Sequence, residues 1–229
     1  ELWGTPRVDD YIQELLIDKR GGTRQGFPKQ VAAEIHRLSQ AHDLLHQRPQ
    51  SEDPWAHIDI SKQHEIERQG YRCTPQDFLR SAEANNPIAV GLYLSAGVPV
   101  DTKDERGWTP LMISSFNGNQ EIAELLIRSG ANVHAQDKAG YTPMHWAAYN
   151  GYANVIKLLI VKHADVNACN LHGWTPLLQG ATRGHLAACA ALIAAGADVN
   201  LASSDGWTPL HKACANGHFD VVRLLLAAG

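Results

Sequence analysis

A period of 33 residues governs more than half of this chain. Gly107, Gly140, Gly173 and Gly206 follow one another at that step. So do Thr109, Thr142, Thr175 and Thr208, each followed by a proline at Pro110, Pro143, Pro176 or Pro209. Gly118, Gly151, Gly184 and Gly217 keep the same interval. Several positions in phase over four copies leave one reading. The chain stacks equal units in a line and does not wrap one large core.

Residues 137–170 show what one unit builds. Thr142 is placed to cap a helix that Pro143 starts, since proline lacks the N–H that would go unpaired there. Met144, Ala147 and Ala148 give this short helix a face of small residues on which a second helix can pack. Gly151 ends it. Val155, Ile156, Leu158, Leu159 and Ile160 carry helical spacing and form the second helix. One such pair cannot bury its own apolar faces, so neighbouring copies share the stability.

The T-P-x-H-x-A run that begins at Thr142, on a 33-residue period, resembles the ankyrin repeat, a turn plus two helices. The resemblance covers residues 74–229, about two thirds of the chain. It implies an all-α solenoid with β-hairpin turns and a binding role. Five repeats are expected. The first, from Thr74-Pro75, is degenerate and lacks the hairpin tip; the others begin near Asp104, Asp137, Asn170 and Ser203. Histidine follows T-P-x only at His145 and His211, so the hydrogen bonds it makes in the family are in doubt where Met112 and Leu178 stand instead. His163 replaces the glycine found at 130, 196 and 229, where the backbone after a helix end takes positive φ. Strain of about 1 kcal/mol is expected there.

The same resemblance implies a concave surface lined by the hairpin tips, the residues after their glycines and one face of each first helix. The glycine-following residues are Trp108, Tyr141, Trp174 and Trp207, all aromatic. The first-helix positions are Ile113, Phe116 and Asn117, then Trp146, Tyr149 and Asn150. Gln179, Thr182 and Arg183 follow, then Lys212, Ala215 and Asn216. This groove changes from apolar and aromatic in repeats two and three to polar and basic in four and five. Aromatic side chains are frequent anchors of protein interfaces. The expected partner-binding residues are Trp108, Ile113, Phe116, Tyr141, Trp146, Tyr149, Trp174, Arg183 and Trp207. A second reading of the four glycine-following rings has them pack on each other and stiffen the array.

Composition narrows the partners. Residues 1–70 carry nine basic and twelve acidic side chains, and residues 71–229 carry eleven and twelve. Neither part has the basic excess of a protein devoted to nucleic acid. No apolar run reaches the eighteen or so residues of a membrane span. Cys73, Cys169, Cys189 and Cys214 form no C-x-x-C pair and read as buried free thiols of a reducing, cytoplasmic setting.

The first seventy residues do not repeat. Val8, Tyr11, Ile12, Leu15 and Leu16 mark one amphipathic helix, and Val31, Ile35, Leu38 and Leu45 a second, so residues 1–50 read as a helical hairpin. Residues 51–73 read as a linker, with a short helix or an extended lead-in from Ile58. Two chemical alternatives lie in this part. His42 and His46 are spaced to chelate a metal, with His36, His57 and His64 nearby, but no H-E-x-x-H or cysteine accompanies them. The glycine-rich stretch 20–26, with Arg20 and Arg24, stands before a helix start and suits an anion, though it matches no nucleotide-binding fingerprint.

The sequence thus points to a non-catalytic adaptor that binds a protein in the groove of its repeats, without cofactor or metal. The N-terminal hairpin serves as a cap or a second binding site. The competing reading is an enzyme, or an anion or metal sensor, with its site in residues 1–70. Repeat five ends in Val221, Val222, Leu224, Leu225 and Leu226, as apolar as an interior repeat. A continuation beyond Gly229, a partner or a second copy is therefore expected to cover that face.

Overall fold

Each threonine–proline pair from Thr74 on starts a helix in the computed structural model, which describes Trp55 and residues 58–229. Thr74, Thr109, Thr142, Thr175 and Thr208 all accept a backbone N–H three residues on, and proline fills the first helical position. The first helices of the five pairs are α2 (Pro75–Glu83), α4 (Pro110–Asn117), α6 (Pro143–Asn150), α8 (Pro176–Arg183) and α10 (Pro209–Ala215). Their second helices are α3 (Pro87–Ser95), α5 (Gln120–Arg128), α7 (Ala153–Val161), α9 (Leu186–Ala194) and α11 (Phe219–Ala228). One further helix, α1 (Ile60–Arg68), precedes them. The hairpin expected over 1–50 lies outside the described residues.

The pairs stack in two layers. First helices pack on first helices from α2 to α10, and second helices on second helices from α3 to α11. Leu126, Leu159 and Leu192 share one register in the second layer, and all three are fully buried. Ala147, Ala148 and Ala181, on the first helices, are fully buried too, and their small side chains let the helices approach.

Helix ends repeat as faithfully as helix starts. Ala131, Ala164 and Ala197 each donate a backbone N–H to the carbonyl five residues earlier, on Leu126, Leu159 and Leu192. That bond closes a Schellman turn around a left-handed residue. Gly130 and Gly196 take that place with φ of 89° and 88°, and His163 takes it with φ of 60°. The expected strain site is therefore real. Asn85, with φ of 53°, does the same after α2, where later repeats use glycine.

The turns are tips, not strands. The N–H of Asp104 donates to Trp108 O, and Asp137, Asn170 and Ser203 repeat this with Tyr141, Trp174 and Trp207. Adjacent tips are joined by single backbone bonds, Lys138 to Arg106, Leu171 to Ala139 and Ser204 to His172. One bond per joint is too few for a ladder, so no strand forms among the described residues and the hairpin turns expected from sequence are plain turns.

Within 51–73, of the short helix or extended lead-in expected from Ile58, the helix forms, as α1. It packs on α3 and so extends the second layer. Ile66 is fully buried, and Tyr71 N–H returns to Ile66 O around Gly70, the turn found after every second helix from α3 to α9. Residues 60–70 thus have the form of a second helix and the turn that follows it. Gly70 stands 27 residues before Gly97 and not 33, because repeat one has no tip.

Candidate functional site

Five of the expected anchor residues meet in one cluster. Trp146, on α6, is its centre: its ring lies 4.5 Å from Trp108, 4.9 Å from Tyr141, 5.7 Å from Phe116 and 6.0 Å from Tyr149, between centroids. Phe116 also touches Trp108 at 5.4 Å and stacks on Tyr149 at 6.2 Å. The tips of repeats two and three supply Trp108 and Tyr141; helices α4 and α6 supply the rest. All five rings are half-buried. Pairs of this kind contribute about 0.5–1.5 kcal/mol each beyond the area they bury. The indole N–H of Trp146 is buried and has no acceptor.

Trp174 and Trp207 stand apart from this cluster. Lys212 on α10 bridges them, with its ammonium 4.2 Å from the Trp207 ring centre and 5.4 Å from that of Trp174. The four glycine-following aromatics therefore do not form one ladder. The first two are joined through Trp146 and the last two through a cation. Arg183 lies 4.4 Å over Tyr149, and Arg106 lies 4.4 Å over Trp108 while pairing with Asp104 at 2.9 Å. Burial works against ionisation of Asp104, but the N–H of Trp108 and the side chain of Arg106 donate to it and hold its carboxyl below the usual range. Burial, the largest influence on Tyr141, raises its phenol.

Several expected surface positions turn out to be structural. Ile113 keeps only 8% of its surface and belongs to the core. Asn150 Nδ2 donates to Phe116 O at 2.6 Å, and Asn216 Nδ2 to Thr182 O at 2.8 Å, each stitching its repeat to the one before. His185 and His218 reach back in the same way, to Tyr149 O and Thr182 O. At the register of Asn150 and Asn216, repeat four carries Arg183, which lies over the preceding tyrosine and makes no such stitch. Of the cysteines, only Cys189 is buried, and burial pushes its thiol up to about 12. Cys169 and Cys214 are exposed, against expectation.

The histidine cap is clear where histidine is present. Thr142 N–H donates to His145 Nδ1 at 3.1 Å, and the Thr142 hydroxyl lies 2.8 Å from the same nitrogen. His145 Nε2 lies 2.8 Å from Trp174 O, so the proton sits on Nε2 and the ring is neutral. Burial pushes this imidazole down to about 4. In repeats two and four Met112 and Leu178 leave only the threonine half of the cap.

Among the described residues no three histidine, cysteine or acidic side chains gather to hold a metal. Of the histidines weighed as ligands, only His64 is described, and it is exposed. His36, His42, His46, His57 and the glycine-rich stretch 20–26 lie outside the described residues. No described helix is long and apolar enough to cross a membrane.

A family model of ankyrin repeats in three copies matches residues 78–170 and again 147–229. The chain belongs to the ankyrin-repeat family. Such repeats generally mediate protein–protein interaction and are typically non-enzymatic. No curated protein matches the chain.

Proposed function

We propose that this protein is a non-catalytic adaptor that holds a protein partner in the concave groove of its repeats. The observation that carries this reading is the half-buried cluster of Trp108, Phe116, Tyr141, Trp146 and Tyr149. Folding alone does not require so many large rings on the side of the tips, where Ala215 stands at the register of Tyr149 in repeat five. Partly exposed aromatics held rigidly by their neighbours bind a partner at low entropic cost. Residues 1–50 act as a cap or a second binding site. Four free thiols fit a reducing compartment, and we place the protein in the cytoplasm.

The test is the double variant Trp146→Ala/Tyr149→Ala, with the partner purified from the native source. Binding should weaken by several kcal/mol in total while the helical signal stays. Unchanged binding, or an unfolded variant, would mean that the rings serve the fold and not an interface.

The outward face of repeat five is a second contact surface, for a partner or a second copy. In the interior joints Gly118, Gly151 and Gly184 lie against the rings of Tyr152, His185 and His218, whereas Gly217 faces open space. Leu111, Met144 and Leu177 are fully buried, but Leu210 at the same register is half-exposed. Leu226 is 64% exposed. Sedimentation of wild type and Leu226→Glu checks this. Association abolished by the charge supports it; a monomeric wild type with no affinity of this face for a partner refutes it.

A further inference from the structure

The two halves of the groove differ in how their cations are balanced. Arg106, in repeat two, stacks on Trp108 and is neutralised by Asp104. Arg183 and Lys212, in repeats four and five, stack on Tyr149, Trp174 and Trp207 and have no carboxylate of the described residues within ion-pair distance.

The tips themselves differ at one position. Asp104 and Asp137 accept the backbone N–H groups of their tips through a carboxylate. Asn170 does the same with its amide oxygen, for His172 and Trp174, and Ser203 accepts Trp207 N–H with its hydroxyl. The structural task is kept and the negative charge is dropped. Asp205, exposed at the outer tip, pairs with neither cation.

A ring face orients a cation without neutralising it. Arg183 and Lys212 are therefore held in place with their charge and donors free, beside apolar surface. We propose that the groove takes an extended acidic segment of a partner protein, its carboxylates on Arg183 and Lys212 and its apolar side chains on Trp146 and Tyr149. This rests on the groove reading above and specifies its partner. A polyanion such as single-stranded nucleic acid fits less well. Residues 71–229 hold eleven basic against twelve acidic side chains, so two isolated cations offer no track for a run of phosphates.

The experiment is selection of a randomised peptide display library on the full chain. Counter-selection on Trp146→Ala/Tyr149→Ala, or on the milder Tyr149→Ala if the double variant unfolds, keeps groove-dependent binders. Those peptides should be rich in aspartate and glutamate next to apolar residues. Once synthesised, they should lose about tenfold in affinity on Arg183→Gln and again on Lys212→Gln, less at high salt. Groove-dependent peptides that are neutral or basic, or indifferent to both substitutions, overturn the acidic partner and leave the groove reading standing. Binders that ignore the aromatic substitutions overturn both. A single-stranded oligonucleotide that binds more tightly than the acidic peptides, and loses affinity on the same two substitutions, assigns the site to nucleic acid and overturns the proposal.

Discussion

The two ends of the repeat array are built from similar sequence and closed differently. At the N-terminal side, helix α1 and Trp55 cover repeat one. Ile66 of α1 is fully buried, and the Trp55 ring lies 6.1 Å from both Phe78 and Tyr93, which themselves meet at 5.1 Å. The Tyr93 hydroxyl donates to Arg72 O, and burial raises its phenol well above the usual range. At the other end, repeat five offers an equally apolar face that no described residue covers. Cys214 is exposed where Ser115, Ala148 and Ala181 are buried at the same register. An ankyrin unit thus carries the same face whether or not anything lies on it. Its neighbour decides if that face is core or surface.

The largest expected effect tests this contrast. Phe78→Ala empties a fully buried site at the closed end and should cost about 3–5 kcal/mol of global stability. Leu225→Ala removes a buried side chain of the second layer at the open end, and should cost about 2 kcal/mol or less. The loss should appear as local opening of α10 and α11. Denaturant unfolding combined with amide exchange separates the two. Equal losses, or global unfolding from Leu225→Ala, would mean that the last repeat is as tightly held as the first.

A pH dependence sharpens the same contrast. His145 and His211 make the same capping box, but His145 is buried and joined to Trp174 O, while His211 is exposed. The folded imidazole of His145 titrates near 4, below the unfolded value near 6.5. Between those values the unfolded chain binds the extra proton, so stability is full above about 6.5 and falls as pH drops toward 4. By linkage the loss is roughly 3 kcal/mol in order of magnitude. His145→Gln, which can keep a capping box, should flatten the stability profile over that window by one proton. A slope indifferent to His145→Gln would show that this ring does not stay neutral in the folded state.

Much of the local structure was legible, because the period fixes which residues start and stop helices. Thr–Pro starts, glycine ends and the positive φ of His163 all follow from single positions and their sisters. What a side chain faces was harder to read. Ile113 looked like groove lining but is covered, and Asn150 and Asn216 looked free but are spent on carbonyls of the preceding repeat. Those fates depend on the adjacent unit and not on the residue's own phase. Helix α1 did leave a signal: Ile66 stands four residues before Gly70, as Tyr93 does before Gly97 and Leu126 before Gly130. The missing tip broke the 33-residue count and hid it. The cation stacks were hidden for a similar reason, since Arg183 and Tyr149 are 34 residues apart and meet only through stacking.

The smallest effect concerns His163, in repeat three, between the closed and the open end. Its sisters Gly130 and Gly196 have φ of 89° and 88° and open space where a side chain would begin. The only cost of a side chain there is therefore the left-handed backbone, about 1 kcal/mol for a non-glycine residue. Against this, glycine gains more freedom in the unfolded chain and loses it on folding, roughly 0.5–1 kcal/mol. His163→Gly should thus stabilise by no more than about 1 kcal/mol. Asn85 takes φ of 53° at a comparable turn, and asparagine tolerates that conformation better than most residues, so Asn85→Gly should gain less. Because repeat three is packed on both sides, the gain from His163→Gly should raise the midpoint of the whole array and leave the fraying of repeat five unchanged. An unchanged or lower midpoint would mean that the exposed His163 imidazole makes a compensating contact. A gain confined to repeat five would show that the interior and the open end are not separated as their burial implies.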